Sequence, residues 1–189
     1  MSKLNMLGIV GGVIAFVSLA LPWWTVTFSW SLRGIDSQTW MLVYLFQAKA
    51  GLPGFYNSPP SSQVNLWFGW AALVLIVIGS LIGLLGGLRQ HTRMVFISGL
   101  FILASMTVFA VGLQSELWKG PIDPWGFPVP GLFSSGITVS RTLIPLPLEN
   151  ITYIAYLTYG FWIALAAAVI MLASPIVKRV NFVQNQKTV

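Results

Sequence analysis

Four stretches of this chain are apolar, uncharged and about as long as a bilayer is thick, and no other feature restricts the fold so severely. They run over 4–21, 66–88, 94–113 and 151–177, and none contains Asp, Glu, Lys, Arg or His. A helix of about 20 residues, rising 1.5 Å per residue, crosses a hydrocarbon core of about 30 Å. Lipid offers the backbone no hydrogen-bond partner, so such runs have to satisfy their own polar groups as helices. Charged residues make up 7% of the chain and hydrophobic ones 56%. Soluble domains carry about 25% charged residues, so this chain has too little charge to cover a water-soluble globule. The first run follows Lys3 and ends near Ser18-Leu19-Ala20, loosely like a signal peptide. Its apolar stretch is long for a signal h-region, and it is expected to remain as a helix.

Lys and Arg set the direction of the spans. With the N-terminus inside, the cytoplasmic segments hold Lys3, Arg89, Arg93, Lys178, Arg179 and Lys187. The outer loops hold Arg33, Lys49, Lys119 and Arg141 together with all four acids, Asp36, Glu116, Asp123 and Glu149. The inside excess falls on far fewer residues, which predicts both termini in the cytoplasm of a cell of which this is a plasma-membrane protein. The formal charge of +6 does not indicate nucleic acid, because the longest basic cluster, Arg89, His91 and Arg93, sits in a short turn between two spans. Trp23, Trp24, Trp67, Trp70 and Trp118 fall at the outer ends of spans, where amphipathic rings favour headgroups. These five, with Arg89, Arg93, Lys178 and Arg179, are the candidate membrane anchors.

The outer loops, 22–65 and 114–150, are long and rich in apolar residues, which predicts a folded outer domain rather than disorder. In Thr25 to Leu32, Val26, Phe28, Trp30 and Leu32 alternate with hydroxyl residues, the period of a half-buried strand. Gly136 to Leu143 alternates in the same way, with Ile137 and Val139 on its apolar side, and the two strands are expected to pair over the helix ends. Trp40 to Phe46 reads as a short interfacial helix. Gly51 to Pro60 and Gly120 to Gly131 read as proline-rich turns. The fold class is therefore an all-α transmembrane four-helix bundle with a small extracellular β-sheet made by the two outer loops, in a single domain over 1–189.

Small residues recur at spacing four on the spans: Gly8 and Gly12, then Gly79, Gly83 and Gly87, then Gly160, Ala164 and Ala168. Such positions open a groove that lets a neighbouring backbone approach.

No ionisable residue lies within a span, which argues against a proton-coupled transporter or an intramembrane protease. The lone histidine, His91, lies in a turn, so a bis-His haem site within one chain is excluded. With no cysteine there is no disulfide, no thiolate metal site and no iron–sulfur cluster. Neither a P-loop nor a dinucleotide fingerprint appears. The expectation is a chain that is not an enzyme and carries no cofactor or metal.

Four helices, a longer first outer loop with a strand directly after helix one, aromatic residues such as Trp30 and Trp40 in that loop, and a shorter second loop resemble the claudin and peripheral-myelin-protein superfamily. The resemblance covers the whole chain at the level of architecture, although that superfamily's Gly-Leu-Trp element and paired loop cysteines are absent here. It implies a bundle capped by a small outer sheet that makes lateral or cell-to-cell contacts. The function expected is protein–protein interaction or assembly with other membrane proteins or copies of itself, within the lipid bilayer. The alternative is a cofactor-free accessory subunit of a larger membrane complex, such as a respiratory or oxidase assembly.

Overall fold

A computed structural model describes residues 5–32, 35–51, 66–119, 129–138 and 151–178. Among them are helices α1 (Met6–Leu19), α2 (Trp67–Leu88), α3 (Thr92–Lys119) and α4 (Tyr159–Leu172, continuing past a turn at Ala173 to Lys178). At 1.5 Å per residue, α2, α3 and the continued α4 span about 33, 42 and 30 Å. These three are long and apolar enough to cross a membrane, and α1 is a shorter apolar helix. That composition fits a multi-pass membrane protein.

α1 is short because the chain leaves the helix early to enter a sheet. Its first turn is pinned at one end of the bundle, where the Asn5 N–H donates to the Gly87 carbonyl and its side chain donates to Ser174, both at 3.0 Å. At the other end the chain turns through Pro22 into strand β1 (Trp24–Leu32). Strand β5 (Ile151–Leu157) runs in the opposite sense directly into α4. The two crossings are bonded to each other: the Thr158 N–H donates to the Trp23 carbonyl at 3.0 Å and the Gly160 N–H to Pro22 at 2.9 Å. The sheet thus grows out of the bundle as the continuation of two adjacent helices.

This arrangement corrects the expected fourth span. Residues 151–157 are a strand with strictly alternating burial, not the start of a helix. Trp40 to Phe46 is likewise not an interfacial helix. Its first part belongs to β2 (Ile35–Val43), and Tyr44 to Gln47 turn into β3 (Ala48–Gly51). Strand β4 is Ser134–Thr138, starting two residues before the predicted Gly136. The predicted strand residues 139–143, including Val139, lie outside the described residues, as do Arg179 and the proline-rich 52–60 and 120–128. α3 runs past its expected end at Leu113 to Lys119, because its polar last turns have partners. The Gln114 side chain accepts from the Leu132 N–H and donates to the Pro130 carbonyl, both at 3.2 Å, and Glu116 accepts from Lys119 and Trp67.

The sheet is antiparallel in the order β3-β2-β1-β5-β4. Its inner face carries Trp24, Val26, Phe28, Met41, Val43, Tyr153, Ala155 and Leu157, all buried and continuous with the core between the helices. Val129 is buried with them, and the Trp24 indole donates to the Leu132 carbonyl at 3.0 Å. The root is aromatic. The fully enclosed Trp23 packs edge-on against Phe109 of α3 and Phe161 of α4, with ring centroids 5.1 and 5.7 Å away, a geometry that suits the ring quadrupoles.

Below the root, α1 and α3 lie diagonally opposite, each packed against both α2 and α4. Met171 of α4 fills the middle, set against Gly11 of α1 and Gly83 of α2, and takes a hydrogen bond from Ser98 of α3 at 2.9 Å.

Candidate functional site

The sheet's second face is built by register. Opposed residues in an antiparallel pair point to the same side, so the outward side chains form rows across the strands. The row nearest the helices is Leu42, Thr25 and Tyr156, with Lys49 beside Leu42 on β3. The middle row is Trp40, Thr27, Ile154 and Ser135, and the distal row is Gln38, Ser29, Thr152 and Ile137. Neither of these two rows carries a charge. The apolar members stand clear of the protein, with Trp40 exposed by 41%, Ile154 by 57% and Ile137 by 67%. Hydroxyl groups separate them. Over these two rows the result is an uncharged surface of alternating aromatic, aliphatic and hydroxyl side chains.

Beside the sheet, an apolar groove of about 360 Å³ runs along the far end of α3, lined by Ala110, Val111, Gln114, Ser115, Trp118 and Leu132. Gln114 shapes it by holding the 130–132 segment against the helix.

Val26 and Phe28 are fully buried on the inner face, and Trp30 is partly buried against the same core. Leu32 ends β1. Ile137 is on a strand as expected but not in the core. It pairs with the exposed Thr152 and faces outward.

Of the expected anchors, Trp67, Trp70 and Trp118 are exposed at the sheet end of α2 and α3. Trp23 and Trp24 are not available to headgroups. Both are completely enclosed and form the sheet's root and inner face. Tyr159 and Trp162, which sequence reasoning missed, are exposed on the first turn of α4 at the same end. The signal was present but concealed: a helix thought to begin at Ile151 put Trp162 near mid-span. Arg89, Arg93 and Lys178 are exposed at the opposite end.

The small residues do not serve one neighbour. A step of four residues advances about 40° around a helix, and α2 uses that drift. A side chain at Gly79 would meet Phe101 and Ile102 of α3, one at Gly83 would meet Met171 of α4, and one at Gly87 would meet Ile9 of α1. Gly8 lies against the backbone of Gly83 and Gly87, and Gly12 against Leu84. Gly160 sits at the root against Trp23 and Pro22, while Ala164 and Ala168 are buried between helices. Close approaches at Gly69, against the Leu45 backbone, and at Gly112, against Phe68, were not anticipated. The first holds the turn between β2 and β3 on α2, and the second brings α2 and α3 together near the sheet.

Among the described residues no group of three or more His, Cys, Asp or Glu could hold a metal ion. Comparison with protein-family models and with curated proteins finds no match.

Proposed function

We propose that this is a plasma-membrane protein whose outward sheet face binds other membrane proteins or further copies of itself, without chemistry of its own. The four helices form the transmembrane anchor, the termini lie in the cytoplasm, and the sheet stands outside. The observation that carries the reading is the pair of uncharged rows at Trp40, Thr27, Ile154 and Ser135 and at Gln38, Ser29, Thr152 and Ile137. A sheet face that only met water would be expected to carry charge and fewer exposed apolar side chains. Depletion of charge, with exposed aromatic and aliphatic side chains among hydroxyl groups, is the composition of an interface core. The support is stiff, because the sheet is rooted on the enclosed Trp23. The claudin-like architecture points the same way.

The test is co-purification after gentle solubilisation, comparing the native chain with Ile154→Asp. A charge at the centre of the face is expected to abolish association while leaving the melting temperature unchanged, since Ile154 makes no core contact. Undiminished association by a folded Ile154→Asp variant overturns the proposal. Partners bearing haem or metal in fixed stoichiometry would instead make the chain an accessory subunit of their complex.

A further inference from the structure

At the end of the bundle away from the sheet, the structure carries a second built surface. α2 closes in a defined cap: the His91 N–H donates to Gly86 at 2.9 Å and the Gln90 N–H to Gly87 at 3.4 Å, with Gln90 in the left-handed region at φ 59°. This is the double-bonded helix terminus that usually ends in glycine. The His91 carbonyl then accepts from Met94 and Val95 to start α3. One tight, hydrogen-bonded turn therefore fixes the backbone of Arg89 relative to that of Arg93.

Both arginines top apolar stripes. Gly79 and Gly86 face α3, and Gly87 faces α1. At about 100° per residue, Arg89 lies on the flank of α2 that borders α3 and faces away from α1. Leu81 and Leu85 are exposed on that outward side. On α3, Arg93, Ile97 and Leu100 follow one another at i, i+4 and i+7, and all three are exposed. Two guanidinium groups thus stand at the rim of an apolar surface one helix hairpin wide. Neither has an ion-pair partner among the described residues, where the one salt bridge, Lys119–Glu116, is at the other end. The described acids, Asp36 on β2 and Glu116 near the end of α3, lie in the sheet-bearing half.

We propose that the Arg89–Arg93 turn is a binding site for a phospholipid with an anionic headgroup. The phosphodiester lies between the guanidinium groups, which suit phosphate oxygens through their planar fork, and the acyl chains run along Leu81 and Leu85 and along Ile97 and Leu100. A zwitterionic lipid fits the apolar stripes equally well, but its headgroup cation offsets the phosphate charge and is repelled by the two arginines.

The experiment is native mass spectrometry of the full chain in mild detergent, titrated separately with dioleoylphosphatidylglycerol and dioleoylphosphatidylcholine. Each arginine near the membrane surface is worth about fivefold in affinity for an anionic lipid, so the native chain is expected to prefer phosphatidylglycerol by about 25-fold. The Arg89→Gln/Arg93→Gln variant binds both lipids alike, and Lys119→Gln at the far end of α3 retains the full preference. Equal binding of the two lipids by the native chain, or an intact preference in the folded double variant, overturns the proposal. If the double variant does not fold, the salt dependence of the native chain decides. The preference must shrink as sodium chloride screens the arginines, and a preference indifferent to salt contradicts the site.

Discussion

Gln90 occupies a left-handed backbone conformation that costs an L-residue about 1–2 kcal/mol and that glycine, with no Cβ, adopts freely. Its φ of 59° is the one positive value at a non-glycine position among the described residues. Gln90→Gly is therefore expected to raise the stability of the detergent-solubilised protein by about 1 kcal/mol, because the relief of strain exceeds the extra freedom gained by the unfolded chain. Reversible unfolding in sodium dodecyl sulfate measures it, and a loss of stability would show that the Gln90 side chain supports the turn. At this scale the sequence was partly legible. Small residues every four positions announced close helix contacts, but not which helix each would meet. That depends on the 40° drift per step and on the crossing geometry, neither of which is written in a single helix. Gly69 and Gly112 had no neighbours in any stripe and could not be recognised, since their reason is a β-turn and a phenylalanine brought from elsewhere in the chain.

At the scale of elements, β1 was readable because its outward residues are hydroxyl-bearing and its inward ones apolar. β5 was not. Its outward positions include Ile154 and Tyr156, so a hydropathy average runs straight from Ile151 into α4 and reports one span. The β-branched and aromatic content of Ile-Thr-Tyr-Ile-Ala-Tyr was the signal that favoured a strand. Trp40 to Phe46 misled in the same way, since seven consecutive apolar residues carry no period and only pairing with β1 fixes their register. The strand-to-helix crossings meet at Trp23, which holds the sheet on the bundle through Phe109, Phe161 and its indole bond to the Ser18 carbonyl. Trp23→Ala is expected to cost about 3–5 kcal/mol in the same unfolding assay and to loosen the sheet before the helices, seen as lost near-ultraviolet ellipticity with helical signal retained. A cost below about 1 kcal/mol would mean that the helices and sheet are held together elsewhere.

Across the whole molecule the two ends differ in kind. One carries exposed tryptophans, Glu116 and a folded sheet, and the other carries arginines on a single tight turn. The candidate binding face was only half legible in the sequence: a sheet was expected, but its outward rows draw on β1, β2, β4 and β5, and that register is a tertiary fact. Ile137, expected in the core, belongs to the face instead. Both the interaction surface and the lipid site rest on the claim that the sheet end of the bundle, with residues 151–157, stands in water on the opposite side of the membrane from the Arg89–Arg93 turn. Single cysteines in this cysteine-free chain test it with a membrane-impermeant thiol reagent on intact cells. Lys119→Cys, exposed at the sheet end of α3 and outside the proposed binding face, is predicted to label, Ala155→Cys to be protected by the core, and Thr92→Cys to label only after permeabilisation. Protection of Lys119→Cys, or labelling of Thr92→Cys before permeabilisation, would contradict the account.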